Sequence, residues 1–150
     1  MDKIKFKIAT VERVVYEAEI DQVTLPTKLG EITVLPNHIP IVSSLTAGEI
    51  LIKKEGIEIP LATSGGFVEL AENRIVILAD TAERIDEIDE ERAEQARQRV
   101  KVLLEQKESA EKVDFTALAS KMEKELARLK VVRKYRDVKK GPQIKIQKDN

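Results

Sequence analysis

Glycine and proline, the residues that most restrict regular structure, are distributed unevenly along this chain of 150 residues. Nine of the eleven lie at positions 26–66, none lies at 67–140, and the last two form the pair Gly141-Pro142. Charge changes as well, from 20 charged side chains in residues 1–82 to 30 in residues 83–140. Frequent turns suit strands, whereas a long stretch without breakers suits helices. The two halves therefore predict different folds, with a boundary near residues 82–87.

The first half has the pattern of short β-strands. Ile4, Phe6 and Ile8 alternate with lysines, and further apolar segments recur about every 8–12 residues with turn-forming residues between many of them. Those segments are VERVV, AEIDQVTL, EITVL, IPIVSSL, EILIKK, IEIPLA, FVEL and RIVILA. No room remains for helices between them, so the pattern predicts an antiparallel β-sandwich or barrel. Gly65-Gly66 predicts a bulge or turn before FVEL.

The second half has the pattern of two helices joined by a short polar link. Apolar residues at helical spacing are Ala93, Ala96, Val100, Leu103 and Leu104 in the first, and Phe115, Leu118, Met122, Leu126, Leu129 and Val132 in the second. Asp114 is a suitable N-cap for the second helix, and Asp86 or Asp89 for the first. We predict an α+β chain with a sandwich domain at 1–84, an antiparallel helical hairpin at 85–137 and a basic, polar tail at 138–150.

Composition excludes several classes of function. The formal net charge is −1, so no bulk attraction to nucleic acid or anionic lipid is expected. There is no cysteine, which excludes disulfides, zinc thiolate sites and thiol catalysis. No apolar run approaches the length of a membrane span, and the N-terminus lacks the apolar core of a signal peptide. The glycine pair lacks the surrounding pattern of a phosphate-binding loop.

The only histidine lies in a bend, LPNHIP, between apolar runs. Pro36 and Pro40 stiffen this bend, and Asn37 tolerates a positive φ angle. His38 has no second histidine, cysteine or nucleophile motif to work with. We predict that His38 hydrogen-bonds to the backbone and fixes the corner. We expect no catalytic residue and no metal site.

The stretch YEAEIDQVTLPTKLGEITVLPNHIPIV closely resembles the N-terminal signature of the epsilon subunit of bacterial F-type ATP synthases. SGGFVEL, NRIVILADTAERIDEIDEERA and a two-helix segment with ARLKV follow in the family's order, so the resemblance covers roughly residues 3–133. It implies a rotor subunit of the central stalk, without catalytic activity, on the cytoplasmic face of the bacterial plasma membrane. Its implied partners are the gamma subunit and the c-ring. Ile39 or Ile41 at the bend are then docking residues or interior ones.

The acidic segment ERIDEIDEERAE, residues 83–94, has two interpretations. Capping of the first helix, with Glu90 and Glu91 at its positive end, explains it without a ligand. The resemblance instead implies a regulatory ATP site. Residues 88–93, IDEERA, match the I/L-D-x-x-R-A motif of epsilon subunits that bind ATP in the folded state. The residues that match this site are Glu83, Ile88, Asp89, Arg92, Ala93 and Arg128. Lys124 stands where such relatives have a second arginine, and it cannot bind phosphate bidentately.

The end of the second helix is basic. A solvated helix end, stabilised by the helix dipole, explains this. The resemblance implies in addition that the extended hairpin presents basic side chains, with Arg133 and Lys134 as the candidates, to the alpha and beta subunits and inhibits ATP hydrolysis. Two other classes of function remain open on composition alone. One is a β-domain adaptor or chaperone with a coiled-coil arm, and the other is a nucleotide-processing enzyme that uses the acidic segment.

Overall fold

A computed structural model describes residues 2–88, 90–105 and 115–139. The strands are β1 Ile4–Ala9, β2 Val14–Ile20, β3 Gln22–Thr27, β4 Gly30–Val34, β5 Ile41–Leu45, β6 Gly48–Lys54, β7 Ile57–Ala71 and β8 Arg74–Arg84. A 3-10 turn at Ile85–Glu87 leads to two helices, α1 Glu90–Glu105 and α2 Phe115–Lys139. The prediction of a β-sandwich followed by a two-helix hairpin is confirmed.

The strands form one folded-over sheet in the order β2-β1-β8-β7-β5-β3-β4, and β6 bridges β3 and β7. Neighbouring strands are antiparallel except for β1 and β8, which are parallel. The sheet is antiparallel as predicted in its other pairs, and the parallel pair of β1 and β8 is a feature that the pattern of short strands did not indicate. No hairpin connects β1 with β8, so local sequence does not dictate their relative direction.

The predicted alternation in β1 is confirmed, since Ile4, Phe6 and Ile8 are buried while the side chains between them face outward. These three residues join one large apolar cluster to which every strand contributes. Its fully buried members include Ile20, Val23, Leu25, Ile50, Ile52, Leu61, Ile75 and Ile77. Burial of this size makes the sandwich the stable part of the chain.

One predicted pair of segments forms a single continuous strand. β7 joins IEIPLA to FVEL, and the register of its pairing with β8 shifts at Gly65 and Gly66, as the predicted bulge requires. A Cβ on Gly66 would lie 2.2 Å from the carbonyl oxygen of Leu78, so only glycine fits. Conversely, VERVV is not a strand from its first residue, because β2 begins at Val14 and Val11 is fully exposed in the preceding turn.

The bend at residues 35–40 has the predicted geometry. Asn37 has φ 64°, and the backbone N–H of His38 donates to the carbonyl of Leu35 at 3.2 Å. His38 Nδ1 lies 2.8 Å from the carbonyl oxygen of Ile39, which confirms the predicted backbone contact. The amide of Asn73 donates to Oδ1 of Asn37 at 2.9 Å and ties the bend to the β7–β8 turn.

The hairpin packs on the sandwich through α2, which contacts β6 and β7, while α1 packs on α2. The prediction of one apolar seam was wrong in part, because Leu103 and Leu126 are 48% exposed. Ala127 and Val131 are buried instead. α2 lies between two surfaces and therefore buries residues on more than one side. The predicted caps Asp89 and Asp114, the side chains of Asp86 and Phe115, and residues 140–150 lie outside what the structure describes.

Candidate regulatory site and docking surfaces

The connection between sandwich and hairpin is anchored to the body of the protein. Arg13, in the β1–β2 turn, donates to Oε2 of Glu87 at 3.1 Å. This guanidinium lowers the pKa of the Glu87 carboxyl from its usual value, against the opposing effect of partial burial. Ile88 is buried against Ala62 of β7 and Val131 of α2. The connection is thus fixed on both sides in the folded arrangement.

Arg128 lies between two carboxylates at the junction of α2 and β8. Its Nε donates to Oε2 of Glu83 at 2.6 Å, and one terminal nitrogen donates to Oε2 of Glu125 at 2.8 Å. Glu125 is buried, and the Arg128 side chain is only 19% exposed. An ion pair this sheltered is screened weakly by salt, but its charges become costly when one partner is lost. We call these three residues the Arg128 triad.

The structure brings together some residues of the predicted ATP site and separates others. Glu83 and Arg128 are in direct contact. Ala93 is fully buried and Arg92 is exposed, both in the first turns of α1. Asp89 lies outside the described residues. Glu83 also lines a cavity of about 250 Å³ whose other charged lining residues are Glu12, Arg13, Asp80 and Lys124.

Sequence reasoning missed Arg13, Asp80 and Glu125 near this site. Arg13 lies far from the motif along the chain, and Asp80 lies three residues before Glu83, but only the fold brings both beside Lys124. Glu125 was detectable in principle, since it lies three residues before Arg128 on the same helix, a spacing at which opposite charges pair.

The basic end of α2 contacts two different surfaces. Arg133 lies 3.3 Å from Glu90 and 3.0 Å from Glu94 of α1. Arg136 lies 2.7 Å from Glu90. The next side chain after Arg133 turns to the sandwich, where Lys134 Nζ lies 3.1 Å from Glu49 of β6. Both candidate inhibitory residues are therefore paired within the folded chain.

The outer face of the sheet carries apolar side chains that the core does not use. Phe67 of β7 and Leu78 of β8 are directly opposite each other and about two-thirds exposed, at 64% and 63%. Val42 of β5 is diagonal to Phe67 on the same face and 80% exposed. We call these three residues the outer apolar patch. Before β5, Ile39 is also exposed, whereas Ile41 packs on the core.

Over the described parts of the chain, neither helix is long and apolar enough to cross a membrane. Within the same residues no group of three histidine, cysteine or carboxylate side chains is arranged to hold a metal ion.

A β-sandwich that carries a helical hairpin on one side is the architecture of the delta and epsilon chains of ATP synthases. The family model for the delta/epsilon β-sandwich domain matches residues 3–85, and the model for the long α-helix domain matches residues 86–133. The chain belongs to the ATP synthase epsilon chain family. This confirms the prediction of a non-catalytic ATP synthase subunit.

Several proteins named ATP synthase epsilon chain are similar over most of their length. The chain is 47% identical to that of Herpetosiphon aurantiacus over 72% of its own residues and 79% of the relative. It is 42% identical to that of Chloroflexus aggregans, over 85% and 91% of the two chains. It is 40% identical to that of Dehalococcoides mccartyi, over 96% and 100%.

Solved structures share the fold at lower identity. A chain of the Euglena gracilis mitochondrial ATP synthase superposes with a TM-score of 0.62 at 19% identity, covering 91% of this chain and 81% of that one. A chain from the central stalk and c-ring of the Tetrahymena thermophila mitochondrial ATP synthase gives a TM-score of 0.54 at 15% identity, covering 89% and 96%. At these identities the likeness concerns the fold.

Proposed function

We propose that the chain is a rotor subunit of the central stalk of an F-type ATP synthase, in which the sandwich, residues 1–84, docks on the gamma subunit and the c-ring. The outer apolar patch carries this proposal, because a sheet face with exposed Phe67, Leu78 and Val42 is unusual for a surface that meets only water. Docking there couples ion translocation through the c-ring to ATP synthesis by the catalytic head. The rotor places the chain at the cytoplasmic face of the bacterial plasma membrane.

The hairpin, residues 85–137, acts as an inhibitory arm in this proposal. Extended, it presents Arg133 and Lys134 to acidic segments of the alpha and beta subunits and slows ATP hydrolysis. Folded on the sandwich, it leaves hydrolysis unrestrained. Because both side chains are about half exposed, at 48% and 56%, contacts made by them are sensitive to ionic strength.

The test is ATP hydrolysis by the reconstituted catalytic head with gamma, to which either the full chain or residues 1–84 are added. Binding of both, with inhibition by the full chain alone, is expected. Substitution of Arg133 and Lys134 together by alanine should weaken that inhibition. Binding of both with no inhibition by either would leave a coupling subunit without an inhibitory arm. If neither binds gamma in gel filtration, an adaptor with a coiled-coil arm replaces this proposal.

The outer apolar patch is tested separately by Phe67→Asp. The matched control is Ile57→Asp, which places the same charge at an equally exposed apolar position, 64%, in the β6–β7 hairpin. Phe67→Asp should lower affinity for gamma by at least about tenfold, as expected for a large aromatic contact, and Ile57→Asp should not. Equal effects would remove the patch from the docking surface.

We further propose that ATP is a regulatory ligand of the folded hairpin, held by Glu83, Ile88, Asp89, Arg92, Ala93 and Arg128. The proximity of Glu83, Arg128 and the Lys124 cavity supports this site. Phosphate must compete with Glu83 and Glu125 for the Arg128 guanidinium, so weak binding is expected. Calorimetric titration with ATP should give binding that Arg128→Gln abolishes and Arg99→Gln, on the exposed face of α1, leaves unchanged. Equal binding by all three proteins would contradict the site.

A further inference from the structure

One carboxylate of the sandwich binds two consecutive residues of α2. Both carboxylate oxygens of Glu49 lie 3.1 Å from Lys134 Nζ, and the Tyr135 hydroxyl donates to Oε1 at 3.0 Å. Lys134 Nζ also lies 5.4 Å from the centre of the Tyr135 ring, within range of a cation–π contact. The Glu49 side chain is only 14% exposed. We call Glu49, Lys134 and Tyr135 the Glu49 clasp.

The clasp lies near the C-terminal end of the described part of α2, where the helix meets β6. One turn before it, Val131 packs on Ala62 and Ile88, and Tyr135 packs against the edge of the same apolar cluster. Partial burial and the nearby carboxylate of Glu49 raise the pKa of the Tyr135 phenol. The phenol is therefore a neutral donor at physiological pH.

The position of Lys134 has a consequence for the inhibitory arm. In the folded arrangement its ammonium is held at Glu49 on β6, whereas in the proposed function the extended arm carries it away from the sandwich to the catalytic head. Extension of the hairpin must first break the clasp, and the strength of the clasp enters the equilibrium between the folded and extended forms directly.

We propose that the Glu49 clasp restrains the inhibitory arm: it holds the hairpin folded and withdraws Lys134 from the catalytic head. The part of this inference that concerns hydrolysis rests on the proposed function, whereas the part that concerns the folded hairpin does not. Loss of Glu49, a residue of the sandwich, then makes the chain a stronger inhibitor. This direction is opposite to that expected for a residue that contacts the catalytic head.

The test uses the full-length chain, whose lack of cysteine allows a clean pair of spin labels at Lys28→Cys and Lys121→Cys. These positions are exposed, one on the sandwich and one on α2. Double electron–electron resonance then gives the populations of folded and extended hairpin. Glu49→Gln keeps the shape of the side chain and removes its charge, and it should lower the ratio of folded to extended chains by about fivefold. Tyr135→Phe, which removes only the hydroxyl, should give a smaller decrease.

The matched control is Asp21→Asn, which removes a carboxylate whose partners, Lys3 and the backbone N–H of Glu55, both lie on the sandwich. It should leave the label distances unchanged. Glu49→Lys alone places two lysines opposite each other and should lower the folded population further. Exchange of both charges, Glu49→Lys with Lys134→Glu, should restore it, which separates a specific contact from damage to β6. An unchanged distance distribution in Glu49→Gln, or no restoration in the exchanged pair, would overturn the clasp.

The same variants are then added to the catalytic head with gamma. Stronger inhibition of ATP hydrolysis by Glu49→Gln, together with a larger extended population, supports the whole inference. A larger extended population without a change in hydrolysis supports the clasp and contradicts the inhibitory arm. The failure of the inference and the failure of the proposed function therefore give different results.

Discussion

The sandwich and the interface between the sandwich and α2 are held together in different ways. In the sandwich, long aliphatic side chains from every strand are buried in one cluster. At the interface the buried apolar cluster consists only of Ala62, Ile88 and Val131, with partly buried side chains packed against it. Ion pairs of Arg128 with Glu83 and of Lys134 with Glu49 add to these contacts. A cavity of about 560 Å³ lies beside these contacts, between α2 and the β5–β6 turn. The interface is thus much less completely packed than the core.

This difference explains how one chain can combine a permanent and a releasable element. Burial of aliphatic surface in the sandwich contributes far more free energy than the difference between the two states of a conformational switch, so the sandwich stays folded when the hairpin is released. A contact made of one small apolar cluster and a few ion pairs is closer to the scale of a two-state equilibrium. Substitutions in the two regions should therefore differ in the process that they affect, unfolding of the chain or release of the hairpin.

The largest effect is expected from Gly66→Ala in β7. The new Cβ would lie 2.2 Å from a carbonyl oxygen and 2.8 Å from Ala79 Cα, at φ 150°, so the strand cannot keep its pairing with β8. We expect a loss of about 4 kcal/mol or more in the free energy of unfolding, measured by urea denaturation. Gly30→Ala, with open space around its Cβ at φ 116°, is the control and should cost about 1 kcal/mol. Equal losses would mean that close packing at the bulge is unimportant.

The second effect concerns the Arg128 triad. Arg128→Met leaves the sheltered carboxylates of Glu83 and Glu125 without their shared cation. We expect release of α2 at a cost of about 3 kcal/mol, seen as faster amide hydrogen exchange in α2 with little change in β1–β8. Adding Glu125→Leu should recover part of the protection, because an apolar replacement removes the unpaired charge. No recovery in the double variant would contradict the electrostatic explanation.

A smaller effect is expected at the apolar part of the interface. Val131→Ala leaves a gap against Ala62 and Ile88, and should weaken docking of α2 by about 2 kcal/mol. Hydrogen exchange of α2 measures this loss, while urea unfolding of the sandwich should be unchanged. Leu126→Ala, on the same helix but half exposed, is the control and should have little effect. A fall in sandwich stability with Val131→Ala would mean that the two regions unfold as one unit.

The comparison also shows what the sequence could predict. Alternation in KIKFKI identified the buried face of β1 because a half-buried strand leaves a period of two in its side chains. Asn37 predicted a positive φ angle, and Gly65-Gly66 predicted a bulge, because few residues tolerate those geometries. Such features are local, so the residues that cause them are neighbours along the chain.

The features that the sequence did not predict are contacts between distant segments. Val131, rather than Leu126, is buried because α2 meets β7 on one side and α1 on another, and a single helical period cannot describe two faces. The parallel direction of β1 and β8 depends on the path of the whole sheet. For the candidate site, the motif pointed to Glu83 and Arg128, but Arg13 and Glu49 become visible only in the fold.

The smallest expected effect is a pH dependence of the connection between the two regions. The Arg13 guanidinium holds the pKa of Glu87 below its usual value of 4.5. A lowered pKa means that the folded protein prefers the ionised carboxylate, so this contribution is present above pH 4.5 and is lost as pH falls through the lowered pKa. Because Glu87 is partly exposed, the contribution is on the order of 0.5 kcal/mol.

Titration of the Glu87 carboxyl by carbon-detected NMR should therefore give a midpoint below 4.5 in the native chain. Arg13→Gln should return that midpoint toward 4.5 and remove the pH dependence of hydrogen exchange at residues 85–88. Lys3→Gln, which removes the partner of Asp21 elsewhere on the sandwich, should leave the Glu87 midpoint unchanged. A Glu87 midpoint that stays low in Arg13→Gln would show that the connection is anchored by its backbone, and release of the hairpin would then be independent of the β1–β2 turn.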